Sequence, residues 1–452
     1  MLAPVNLHRL LLERAAAGAP VRVGLIGAGK FGAMFLAQAL RTAGIHVMAV
    51  ADLSVPRAQA ALERTGWPQE RTAAASFADA LSSGTTHVTE DSGALIAADG
   101  IEVVVEATGS PAAGIGHALA CAREGRHVVM VNVEADALAG ALLADRCRQA
   151  GVVYSLAYGD QPALICEQVD WARAAGFDVV CAGKGTKYLP EYHRSTPETV
   201  WEHLGLREDQ VGDLNPQMFN SFVDGTKSAI EMAAVVNATG LEPPPHGLGF
   251  PAAGVDDLAR VCRPESEGGA LHAKGTVEVV SSLERDGSEV ERDLRWGVYV
   301  SVEAPSDYVA RCFDEYGLAT DDSGRYSALY RPYHLIGLEL GISVASTALR
   351  GEPTGAPLAF GADVVATAKR DLAPGETLDG EGGYMVYGTL VPAHASMHGG
   401  WLPIGLAHGV EVTRAVAAGE VLESADVRLD ERAEAVRVRR ELEREAQPAL
   451  TR

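Results

Sequence analysis

Two short stretches carry residue types suited to chemistry on small anions. Gly183-Lys-Gly-Thr-Lys187 places two glycines and two lysines directly after an apolar run, with Tyr188 next. Glycines in a turn there would expose backbone N–H groups, and Lys184 and Lys187 would add two ammonium charges, a set that fits phosphate, phosphonate or carboxylate. The competing reading is an ordinary glycine turn with both lysines in water. Asp224-Gly-Thr-Lys227 stands before an apolar helical pattern, Ser228 to Ala238. Asp224 is the expected N-cap of that helix. Lys227, one turn in, is a candidate general acid–base for an alcohol or carbonyl oxygen, provided burial lowers its pKa. His193 and His334 are further proton-donor candidates, weighed against the commoner structural use of a single histidine. His394-x-x-x-His398 has helical metal-ligand spacing but is expected in a Gly- and Pro-rich loop with no acid in register. No metal site is assigned there, and dependence on a divalent metal stays open.

The front of the chain supplies a redox partner for such residues. An apolar strand, Val21 to Ile26, runs into Gly27-x-Gly29-x-x-Gly32, and a helix-forming segment, Ala33 to Arg41, follows. The first glycine permits the tight turn, the second lets the backbone approach a pyrophosphate, and the third lets helix and strand pack closely. Lys30 and Phe31 lie at the helix start, where free N–H groups and the positive end of the dipole meet phosphates. A second strand, His46 to Ala51, ends at Asp52, 20 residues after Gly32, where an acid can bind ribose hydroxyls. Asp52 favours NAD. Arg57, in Ser54-Val-Pro-Arg57, could pair with a 2′-phosphate, so NADP stays open. The strand Ile101 to Glu106 ends in Ala107-Thr108-Gly109-Ser-Pro111, a turn expected beside the nicotinamide ribose. His127 to Glu134 reads as a strand with Asn132 and Glu134 at its exit, and Val152 to Ala157 as another, ending at Tyr158-Gly-Asp160. Ligand contact and strand-end capping are equal readings for Asn132, Glu134 and Asp160.

At 452 residues the chain is too long for one ordinary domain. The fold class expected is α/β, with a doubly wound dinucleotide-binding domain over 1–160 and an α+β substrate and dimerisation domain over 161–355. A small C-terminal β domain over 356–430 and a charged tail over 431–452, solvated or disordered, complete it. The helix ending near Arg350 is expected to pack back on the first domain. In the small domain Lys369-Arg-Asp-Leu-Ala-Pro-Gly-Glu recurs as Thr413-Arg-Ala-Val-Ala-Ala-Gly-Glu, offset by 44 residues, which suggests a β-clip built on two Gly-Glu turns. Its histidines are unsupported, so the chemistry is expected to lie outside it. The net charge of −22 argues against nucleic acid and anionic membranes as partners, though a local lysine focus still suits a small anionic substrate. Six cysteines without a CxxC pair suit a reducing compartment, and a cytoplasmic location is expected. No run of 18 apolar residues is present, and Asn6 to Arg14 reads as an amphipathic helix rather than a signal peptide.

The order of parts resembles homoserine dehydrogenase in the N-terminal half, with a small module of the SAF type at the C-terminal end. Val131-Asn-Val-Glu-Ala-Asp136, Tyr158-Gly-Asp-Gln-Pro-Ala-Leu164, Ala182-Gly-Lys-Gly-Thr-Lys-Tyr-Leu-Pro190 and Met218-Phe-Asn-Ser-Phe-Val-Asp-Gly-Thr-Lys227 resemble the 1-deoxy-D-xylulose 5-phosphate reductoisomerase-like proteins, over roughly residues 15–430. The resemblance implies a nicotinamide-dependent oxidoreductase, usually NADPH-linked, forming a homodimer or higher homo-oligomer. The Gly-Ser-Thr-Gly-Ser type of cofactor loop is absent. The Asp224–Lys227 spacing is three where homoserine dehydrogenase leads one to expect four. Three functions follow. The first is reduction or reductive isomerisation of a small anionic keto-sugar, with Lys184, Lys187 and Lys227 lining an anion site facing the nicotinamide. The second is a homoserine dehydrogenase-type amino- or hydroxy-acid dehydrogenase. The third is a non-catalytic cofactor-sensing or sugar-binding protein.

Overall fold

Near-continuous apolar runs, rather than alternating ones, mark strands buried on both faces by helices. The first sheet follows that rule. It is six-stranded, in the order β3-β2-β1-β4-β5-β6. The strands are β1 (Val21–Ile26), β2 (Ile45–Ala51), β3 (His87–Thr89), β4 (Val103–Glu106), β5 (His127–Met130) and β6 (Tyr154–Leu156). All its pairings are parallel. β1 spans the expected residues, and the helix after it starts earlier than expected, at Lys30–Ala39. The computed structural model describes residues 6–212 and 214–450. Its backbone separates into two units, one running to Ala163 and taking in Leu335–Pro357, the other Leu164–His334 and the chain from Leu358. The helix Gly341–Arg350 thus completes the first unit: Leu340, Val344 and Ala345 join the core formed by Val23, Leu25 and Phe35.

The second unit is built on a mixed sheet ordered β10-β9-β7-β8, from β7 (Asp178–Thr186), β8 (Thr276–Ser281), β9 (Val298–Glu303) and β10 (Tyr326–Arg331). β7 pairs parallel with β8 and antiparallel with β9. This corrects one expectation. The strand does not stop at Ala182 in a glycine turn but runs on through Gly183-Lys-Gly-Thr186. The glycines are needed because neighbouring backbone closes on them. A Cβ at Gly183 would lie 1.8 Å from the Glu278 carbonyl oxygen, and one at Gly185 would lie 2.0 Å from that of Leu294.

The C-terminal segment belongs to this second unit. Its strands are β11 (Ala362–Ala368), β12 (Thr377–Asp379), β13 (Val386–Pro392), β14 (His408–Val412) and β15 (Val427–Arg428). They form a β11-β13 pair and a β12-β14-β15 sheet. The expected boundary near 356 is crossed by hydrogen bonds: Asn237 Oδ1 accepts from Gly361 and Ala362 N–H, and Thr226 Oγ1 accepts from Gly388 N–H. The internal echo closes on itself. Leu372 and Val416, one echo apart, exchange both backbone hydrogen bonds. Gly375 N–H donates to Val412 O, and its counterpart Gly419 N–H donates to Ala368 O, which is the counterpart of Val412. The charged tail is not solvated throughout. It forms the helix Glu434–Leu450, which buries Val436, Val438 and Leu442 and pairs the buried Arg439 with Asp363. Residues 451 and 452 of the tail lie outside the described residues.

Candidate functional site

The first unit carries a dinucleotide cradle at the end of β1. Gly27 sits at φ +99°, and a Cβ there would lie 2.5 Å from the Ala107 carbonyl oxygen; at Gly32 it would meet that of Gly27 at 2.2 Å. At Gly29 nothing lies within 4 Å, so that face of the turn is open. Helix Lys30–Ala39 has no side-chain cap. The helices beginning at Val55, Phe77, Ser92, Pro111 and Val133 are all capped, by Ser54, Ser76, Asp91, Ser110 and Asn132. Uncapped N–H groups beside an open glycine suit a pyrophosphate. The residues present therefore fit a nicotinamide dinucleotide.

Asp52 is buried at the end of β2. Its Oδ2 accepts from Ala28 N–H (2.9 Å), and its Oδ1 accepts from Ser54 N–H (3.0 Å) and from Arg57 Nε (2.9 Å). Asp52 and Arg57, expected as alternatives for the ribose, hold each other. Thr108 and Gly109 are exposed in the turn after β4. The Thr108 hydroxyl donates to Glu106 Oε1 (2.5 Å), and Glu106 is fully buried and also meets His117 Nδ1 (3.1 Å). Glu106 and His117 were not singled out from the sequence; a carboxylate inside an otherwise apolar strand was their one signal. Asn132 is a helix cap. Its Oδ1 accepts from Ala135 N–H, and its Nδ2 donates to Ser110 O (2.8 Å), which ties the exits of β4 and β5. β5 stops at Met130, so Glu134 lies in the first turn of helix Val133–Gln149 rather than at a strand exit.

The remaining candidates belong to the second unit. Lys184 on β7 is buried and pairs with Glu231 on helix Thr226–Thr239, so its ammonium is not offered to an anion loop. Lys227 is half-buried in the first turn of that helix. Lys187, just past β7, donates to His203 O (2.7 Å). Burial, then the neighbouring Arg295 guanidinium, pulls its pKa below the usual lysine value.

One cluster surrounds His193. Its Nδ1 lies 2.7 Å from the Asp224 carbonyl oxygen and its Nε2 2.8 Å from Tyr188 Oη. A carbonyl only accepts, so Nδ1 carries the hydrogen, and in the neutral ring Nε2 accepts from the Tyr188 hydroxyl. Burial lowers the His193 pKa and favours that neutral form, and burial raises that of Tyr188. His193 stacks on Tyr387 (4.3 Å between centroids), and Tyr188 stacks on Phe250 (3.8 Å). Asp224 is not the N-cap. It ends helix Pro216–Val223, Gly225 caps the next helix, and the Asp224 carboxylate accepts from Thr226 N–H (2.9 Å). Burial raises its pKa, and the ion pair with the buried Lys369 (2.7 Å) opposes that rise. Lys369 also donates to Ser195 O and Gly383 O. The C-terminal segment supplies two residues, Lys369 and Tyr387, to the surroundings of this candidate site. His334 has its Nδ1 on Trp296 O. His394 and His398 stand on a helix, Ala393–Gly399, not in a loop. Among the described residues no group of histidine, cysteine and acidic side chains has metal-binding geometry, and no helix is long and apolar enough to cross a membrane.

Comparison with known proteins adds to this geometry. A search of curated proteins found no significant match. Among solved structures, the chain is similar to scyllo-inositol dehydrogenase from Lactobacillus casei with bound NAD(H) and scyllo-inositol (TM-score 0.38, 10% identity, 75% of this chain and 92% of that one). It is similar to an oxidoreductase from Agrobacterium radiobacter in complex with NAD+, L-tartaric acid and magnesium (0.38, 12%, 74% and 91%). It is also similar to aldose–aldose oxidoreductase from Caulobacter crescentus complexed with glycerol (0.38, 12%, 75% and 92%). Likenesses this distant carry no argument about substrate. Two family models match directly: the NAD-binding domain of homoserine dehydrogenase over residues 23–155, and the catalytic domain of oxidoreductase DRL over residues 159–340. With a fitting dinucleotide cradle inside the first match and a histidine–tyrosine pair inside the second, the chain is an NAD(P)-dependent oxidoreductase.

Proposed function

We propose that the chain reduces, or reductively isomerises, a small anionic keto-sugar with NAD(P)H as the hydride donor. The observation that carries the reading is the hydrogen-bond pattern of His193, which leaves one proton to be shared between Nε2 and Tyr188 Oη. The bound nicotinamide supplies or accepts the hydride. Gly29 and the first N–H groups of helix Lys30–Ala39 hold its pyrophosphate, and Asp52 meets its ribose. Tyr188 Oη is the group that meets the reacting oxygen. In oxidation the alcohol proton passes to Oη as the tyrosine's own proton passes to His193 Nε2. In reduction the sequence reverses and starts from the imidazolium. The neutral ring therefore favours oxidation. Because burial lowers the His193 pKa, reduction speeds up as pH falls towards and below the ordinary histidine value, and oxidation levels off above it.

The anion is assigned to Lys187 with Lys227. Lys187 makes one hydrogen bond, to a carbonyl, and has no acidic side chain within ion-pair distance among the described residues, with Arg295 as a second cation nearby. An unpaired, partly desolvated cation suits an incoming anion. A panel of phosphorylated and unphosphorylated keto-sugars and hydroxy acids, followed through the absorbance of reduced nicotinamide, tests the proposal. Phosphorylated keto-sugars should be turned over, and Tyr188→Phe should cut kcat by about 10²–10⁴-fold with cofactor affinity unchanged. Turnover confined to amino or hydroxy acids would favour the homoserine dehydrogenase-type reading, which the match over residues 23–155 supports only for the nucleotide-binding part.

A further inference from the structure

Phe250 has a left-handed backbone (φ +50°), one of two non-glycine residues with positive φ among those described. For a bulky residue this conformation costs on the order of 1–3 kcal/mol and persists only where its surroundings impose it. The imposing group is Glu278 on β8, whose side chain is buried inside the unit. Its carboxylate accepts from Gly249 N–H (2.9 and 3.1 Å), Phe250 N–H (3.3 Å) and Val279 N–H (2.7 Å). Arg285 secures the same turn from outside by donating to Gly249 O (2.8 Å). Gly249 leaves room for the arrangement, since a Cβ there would lie 3.0 Å from Glu278 Oε2. The strained residue is the one whose ring lies flat on Tyr188, 3.8 Å between centroids and 20° between planes. Tyr188 in turn reaches His193 Nε2 with its hydroxyl.

Glu278 touches neither His193 nor Tyr188 by any hydrogen bond, yet everything it holds ends at them. A buried carboxylate is costly to keep, and burial raises the pKa of this one to about 7 against the pull of its N–H donors. A turn needing only stability would not require a desolvated acid, a left-handed phenylalanine and an aromatic stack in series. We propose that Glu278 is a positioning residue: by fixing the left-handed Phe250 it holds the Tyr188 ring so that the hydroxyl stays on His193 Nε2. The inference rests on reading Tyr188 and His193 as the proton-handling pair, and it adds the group that sets their geometry.

The test reads the imidazole directly and needs no substrate. Full-length protein with ¹⁵N-labelled histidine gives the protonation state of each ring nitrogen, and His193→Gln assigns the His193 signals. In wild type, Nδ1 should be protonated and Nε2 should show an accepted hydrogen bond. In Glu278→Gln the amide cannot accept at both oxygens' positions, the turn relaxes, and Nε2 loses its donor. A hydrogen bond to the neutral form lowers proton affinity, so its loss should raise that of His193 by up to about tenfold. Asp224 and Lys369, the charged groups facing the ring, are unchanged in the variant. Phe250→Gly, which accepts the left-handed backbone without strain but lacks the ring, should give the same shift. Adding Glu278→Gln to Phe250→Gly should change it no further. If Glu278→Gln folds and leaves the His193 signals as in wild type, the proposal is overturned. The same holds if the two substitutions add in full, or, should Glu278→Gln not fold, if Phe250→Gly alone leaves Nε2 hydrogen-bonded. Failure of the substrate panel would bear on the proposed function instead.

Discussion

At Gly29 the space a side chain would fill is empty; at Gly183 and Gly185 it is occupied by carbonyl oxygens of adjoining backbone. All three glycines permit close approach. In the first unit the space stays open, as the proposed dinucleotide would need, and in the second the chain itself fills it. The flanking elements decide which. Gly29 stands between a strand and an uncapped helix, where backbone N–H groups point outward unpaired. Gly183 and Gly185 lie inside β7 with strands on both sides, where those groups are used in the sheet. The lysines follow the same division. Lys184, between the two glycines, faces inward to Glu231, and Lys187, past the end of the strand, makes a single hydrogen bond.

Four substitutions test that division. Gly183→Ala should have the largest effect, about 3 kcal/mol or more of lost stability in urea unfolding, because a Cβ at 1.8 Å from a carbonyl oxygen forces the sheet apart. A neutral result would mean the strand has slack there. Gly29→Ala, at φ −70°, should leave stability almost unchanged and weaken NADH and NADPH binding about tenfold or more, read by calorimetry. Unchanged binding would remove Gly29 from the ligand-facing class.

Asp136→Asn probes a carboxylate that faces only its own chain. Asp136 is buried, accepts from Tyr154 Oη (2.8 Å), and has its pKa raised to about 7 by burial. Between the unfolded value of 3.8 and about 7 the folded state holds the extra proton, so stability falls as pH rises through that window. The asparagine variant should be more stable than wild type at pH ~8, by about 1–2 kcal/mol, and should flatten that slope. A slope unchanged in the variant would place the titration elsewhere. The smallest effect is expected from Asp52→Ala, which releases Arg57 and removes a carboxylate. The ratio of NADPH to NADH affinity should rise about tenfold, and a constant ratio in fluorescence titrations would show that Asp52 does not read the ribose.

The first unit was largely legible because its signals are local. β1, the glycine turn and Asp52 are tied by fixed offsets within one stretch, and apolar runs mark strands covered on both sides. The second unit was less so because its polar groups find partners far along the chain. Lys184 is buried only because Glu231, 47 residues on, neutralises it, and without that partner a lysine between two glycines reads as an exposed loop. His193 was legible as a proton donor, but its partner carbonyl lies 31 residues away. Lys369, which secures Asp224, also bonds Ser195 across 174 residues. The strain at Phe250 left no trace in residue type, since a phenylalanine gives no hint of a left-handed backbone. The echo around Gly375 and Gly419 was visible as a repeat, but the reciprocal bonding of its two copies was not.

Because Lys369 and Tyr387 complete the surroundings of His193, the two units mature at different times during synthesis. A ribosome making this chain has released Gly27 to Asp52 early, and the parallel sheet lacks only the helix Gly341–Arg350 by the time that segment emerges. His193 must then wait, its aromatic neighbour and the cation behind Asp224 still untranslated. A message truncated between these points would encode every strand and helix of the first unit while lacking the surroundings of its histidine.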